Sequence, residues 1–79
     1  MVWRVVEHDE RRWNVSLAAE RRANSPNWNL VFAFRPTEQG QRSIWATYPL
    51  SSSSKAALFA QAEKIPDDAI AALLAAQLQ

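Results

Sequence analysis

The chain has no cysteine, one glycine and one histidine among 79 residues. Without cysteine there is no disulfide staple and no thiolate metal site. With Gly40 as the sole glycine, neither a phosphate-cradling loop nor a dinucleotide-binding fingerprint can form. His8 stands between Glu7 and Asp9 with no second histidine to complete a metal site. A general base also needs a partner and a pocket. No apolar run approaches the roughly 20 residues that span a bilayer. The opening "MVWRVVEHDE" lacks the basic region and apolar core of a secretion signal. Neither sign of charge dominates: nine basic and eight acidic residues leave a net +1, unlike a strongly basic nucleic-acid binder. These absences predict a soluble, cytoplasmic, non-enzymatic protein with no cofactor, no metal and no membrane attachment.

Aromatic residues are what the chain has in quantity: four Trp, three Phe and one Tyr. Each can bury roughly 150–250 Å², which offsets the marginal core of so short a chain. Length and composition predict one domain over residues 1–79.

The N-terminal half alternates with period two, the mark of half-buried strands. "VWRVVEH", "WNVSLAAE", "WNLVFAF" and "SIWATYPL" are separated by polar or Pro- and Gly-containing segments. Matching apolar faces pairs Leu17 with Leu30 and Val15 with Phe32. It also pairs Phe34 with Ile44 and Leu30 with Tyr48, leaving a five-residue loop from Thr37 to Gln41 around Gly40. An odd-length loop at Asp9 places Trp3 and Val5 in the core, whereas an even loop would place Arg4 there; the odd loop is therefore expected. Pro49 is expected to end the fourth strand, since proline lacks a ladder N–H. The resulting core is Trp3, Val5, Trp13, Val15, Leu17, Leu30, Phe32, Phe34, Ile44 and Tyr48.

The remainder is alanine-rich and helical in period. Leu58, Phe59, Ala62 and Ile65 recur at helical spacing, and so do Ile70, Leu73, Leu74 and Leu78. Pro66, with Asp67 and Asp68 beside it, reads as the start of a second helix. The run Ser51–Ser54 reads as a strand-to-helix joint with Ser51 or Ser52 as the N-cap. Ser52 and Lys55 also match Ser-x-x-Lys, but the enzymes that use that motif need further motifs and a far larger fold. The expected architecture is α+β: a four-stranded antiparallel meander, order 1-2-3-4, with one face covered by a C-terminal helix broken near Pro66.

The opposite face is expected to present Arg4, Arg12, Val31, Arg35, Trp45 and Thr47 as an interaction surface. Arg12 should stand across from Arg35 with Arg42 nearby, and like charges side by side require an offsetting partner. Trp and Arg are enriched at binding hot spots, and a small core gains from association. The expected function is binding: a homodimer, or another protein, docked on this face. The alternatives are a solvated sheet face with a few tolerated apolar residues, and a single-stranded nucleic acid, with arginines on phosphates and Trp45 as a stacking platform. The element order is similar to that of the small single-stranded-DNA-binding coactivator fold, which includes the eukaryotic transcription coactivator domain and its bacterial relatives. That likeness is confined to element order. Those proteins have lysine-rich strands, whereas this chain has no lysine before Lys55.

Overall fold

A computed structural model describes residues 2–37 and 42–78. Four strands, β1 (Arg4–His8), β2 (Arg11–Glu20), β3 (Trp28–Pro36) and β4 (Ile44–Ser52), precede two helices, α1 (Lys55–Ala62) and α2 (Asp67–Gln77). The strands form one antiparallel sheet in the order β1-β2-β3-β4, as the alternation predicts. Both helices lie on one face, α1 against β2, β3 and β4 and α2 against β1 and β4. Among the described residues, no helix is long and apolar enough to cross a membrane.

The core forms where the even-numbered residues of β3 meet the helices. Leu30, Phe32 and Phe34 are completely buried, with Leu58, Ile70 and Leu74 above them. Phe32 is the hub: Trp3 stacks on it at 5.8 Å, Tyr48 meets it edge-on at 5.5 Å and Phe34 lies at 6.1 Å. Of the expected core, Trp13 and Val15 are buried and Leu17, Ile44 and Tyr48 pack against the cluster. Val5 is a correction: it is 46% exposed, and Val6 takes the inward position.

That correction begins at the β1–β2 turn. The loop is the even one, Asp9–Glu10, with φ of 55° and 66°, and His8 pairs with Arg11 across it. Two residues at positive φ make a primed turn, whose twist matches that of the flanking strands. The sequence carries no glycine here to announce it. The even loop does bring Arg4 to the core side, the outcome that face matching disfavours. Its guanidinium is not left unpaired, however. It donates to the carbonyl oxygen of Ile65, to that of Glu63 at 2.8 Å and to Asp67 Oδ1 at 3.1 Å, and lies 4.0 Å from the Trp3 ring centroid. These partners come from the junction of α1 and α2, where carbonyls lack intrahelical donors. Trp3 lies just before β1, its N–H bonded to the Val15 carbonyl, and its indole donates to Glu63 Oε1 at 2.7 Å.

One further register differs from expectation. Leu17 pairs with Phe32 and Ala19 with Leu30, a displacement of two residues that leaves every face assignment intact. It carries Trp28 past the end of β2, where Arg21 and Lys55 lie 4.8 and 4.4 Å from its ring. The pairs Phe34–Ile44 and Leu30–Tyr48 occur as expected; residues 38–41 of the connecting loop, with Gly40, lie outside the described residues. Nor does Pro49 end β4. The register shifts between Asn29 and Leu30, and β4 continues to Ser52. A proline is tolerated at a bulge on an edge strand.

The serine run is a joint, but its roles fall later than expected. Ser51 and Ser52 belong to β4. Ser54 is the N-cap, its hydroxyl accepting from the N–H of Ala57 at 3.3 Å, while the Ser52 hydroxyl accepts from the N–H of Ser54 at 3.3 Å. The helical segment breaks at Pro66, which occupies the N-cap of α2 with Asp67 and Asp68 in its first turn.

Candidate interaction surface

Alternation along β2, β3 and β4 sends every second residue away from the helices. Register then arranges these residues in rows across the sheet. Trp45 lies beside Ala33, and Ala33 beside Ser16. One step along, Thr47 lies beside Val31 and Val31 beside Ala18. On the side toward the β1–β2 turn come Arg35, Asn14 and Val5, and on the other side Glu20 and Asn29. The middle of this face is therefore made of small residues with one large aromatic at its margin.

Trp45 is 63% exposed, more than Val2, Val5 or Leu78, the other exposed large apolar side chains among the described residues. Val31, on the same face, is only 7% exposed. The two contribute to a groove of about 360 Å³ whose walls also include Ala18, Glu20 and Thr47. Small residues at 18 and 33 leave the groove open, and Val31 supplies an apolar floor.

The structure keeps five of the six expected surface residues on this face and removes one. Val31, Thr47 and Trp45 come together at the groove, and Arg35 stands one row away. Arg12 is on the same face, but it pairs with Glu7 on β1, with Nε 3.7 Å from the carboxylate. It does not stand across from Arg35; Asn14 does. Arg4 is a correction: it turns to the helix side and is used there. Glu20 belongs to the groove and is legible by parity on β2. Neither Glu20 nor Arg35 forms an ion pair among the described residues.

His8 lines a different hollow, of about 960 Å³, at the end of the sheet with Asp9, Glu10, Arg11, Arg42 and Ile44. Charges of both signs surround it. Trp13 also borders it, and its indole N–H is buried without a hydrogen-bond partner among the described residues. No three His, Cys, Asp or Glu side chains among the described residues gather where they could hold a metal ion.

Comparison with known proteins finds no matching family model, no matching curated protein and no matching solved structure.

Proposed function

We propose that this chain is a small non-enzymatic binding module that associates with a second copy of itself through the uncovered sheet face. The observation that supports it is Trp45, 63% exposed beside a groove with an apolar floor. A tryptophan in water next to an unfilled apolar recess is the usual composition of a binding hot spot. Sheet faces bury such residues by stacking on another sheet about 10 Å away. The single-stranded nucleic acid reading has less support. Arg4 is engaged at the helix junction and Arg12 lies beside Glu7. Few cations remain on this face to neutralise phosphates, and phosphate neutralisation supplies most of the affinity in such binding.

Light scattering at high micromolar chain concentration tests the reading. A mass of two chains is expected for the wild type and of one chain for Trp45→Arg, since burying an unpaired charge is costly. A wild type that is monomeric at that concentration refutes it.

A further inference from the structure

We propose that the two copies stack face to face about a two-fold axis lying parallel to the sheet and perpendicular to its strands, so that each Trp45 enters the other copy's groove and each Arg35 meets the other copy's Glu20. This rests on the self-association reading above and specifies its geometry.

A two-fold interface uses the same patch on both chains, so every contact occurs twice. The rows of the uncovered face then restrict the arrangement. Trp45 belongs to the row of Ala33 and Ser16, and the groove floor belongs to the next row, Thr47, Val31 and Ala18. For Trp45 to lie over that floor, the first row of one copy must face the second row of the other. An axis perpendicular to the strands and midway between the rows does this. It sets Trp45 over Thr47, one strand to the side of the Val31 floor and within reach of the indole, with Ala33 over Val31 and Ser16 over Ala18, where no large side chain prevents close approach.

The same rotation exchanges the flanking rows, so the row of Arg35 and Asn14 faces the row of Glu20 and Asn29. Asn14 lies over Glu20, and Arg35 lies one strand away from it, about 4.8 Å to the side. A guanidinium spans that offset. The two charges, neither of which has an ion-pair partner within its own chain among the described residues, thereby become complementary. An axis parallel to the strands leaves each row facing its own copy, with Arg35 at the level of Arg35. Opposed like charges disfavour that alternative.

The test is a charge exchange on the full chain, read by sedimentation equilibrium, with urea midpoints confirming that each variant is folded. Glu20→Arg and Arg35→Glu are each expected to weaken association by about tenfold, since a complementary charge pair becomes a like pair at two symmetric places. The double variant, which restores opposite signs across the interface, should return to within about threefold of wild type. Ala18→Trp, which fills the groove, should abolish association. If the single charge changes are neutral, or the double variant is weaker than either single, the two-fold arrangement is overturned. Loss of the dimer in Trp45→Arg would still leave the broader reading intact in that case. A monomeric wild type overturns both.

Discussion

Arg4→Ala is expected to destabilise the fold by about 2–3 kcal/mol. The magnitude follows from what the guanidinium touches. Its bonds to the carbonyls of Ile65 and Glu63 are charge-assisted, and such bonds contribute roughly 1.5–3 kcal/mol each when fully desolvated. Here the side chain is 20% exposed, so water recovers part of that. The pair with Asp67 adds little, because that carboxylate is 68% exposed and surface ion pairs contribute about 0–1 kcal/mol. Stacking on Trp3 at 4.0 Å adds about 0.5–1 kcal/mol. A domain of this size has a total stability of roughly 4–12 kcal/mol, so the loss is a large share of it. Urea unfolding followed by tryptophan fluorescence measures it. Arg4→Lys should recover less than half, since an ammonium cannot bridge two carbonyls with a planar fork. A loss below about 0.5 kcal/mol for Arg4→Ala would refute the account and return Arg4 to the open face, where surface substitutions are usually that mild.

Four other substitutions bear on particular elements. Glu10→Gly should stabilise the protein by about 0.5–1 kcal/mol in the same assay, because Glu10 sits at φ 66° and left-handed backbone costs a non-glycine residue about 1–2 kcal/mol, less the extra chain entropy glycine loses on folding. Ser54→Ala should cost about 1 kcal/mol by thermal unfolding and Ser53→Ala almost nothing, since only the former removes the cap on α1. Phe32→Ala should cost about 3–5 kcal/mol in the urea assay, the range for a fully buried aromatic, because three rings rest on that side chain.

Period-two patterning carries most of the architecture. It places Trp13, Phe32 and Phe34 inward and Trp45 outward, and these positions hold. An even displacement of the β2–β3 register does no damage to that assignment, which is why Leu17 can be paired two residues off and still fall on the correct face. β1 departs from its pattern for two reasons. Its turn, Asp9–Glu10, adopts a conformation that normally advertises itself with glycine or asparagine. Its inward arginine is tolerated only because of carbonyls some 60 positions later in the chain, which no local pattern reveals. The four serines are chemically identical, so which one caps α1 depends on where β4 stops. β4 runs past Pro49. At the candidate site, parity discloses the residues of the open face, but not that Val31 forms a recess or that Glu20 stands at its rim.

The link between Trp3–Arg4 and the α1–α2 junction has a bearing on how the polypeptide matures. The earliest part of this domain to be synthesised waits for one of the latest. While residues up to about 60 are emerging, Phe32 has no lid and the guanidinium of Arg4 has nothing to clasp. The domain therefore completes its assembly only once Asp67 and the segment after it have left the ribosome.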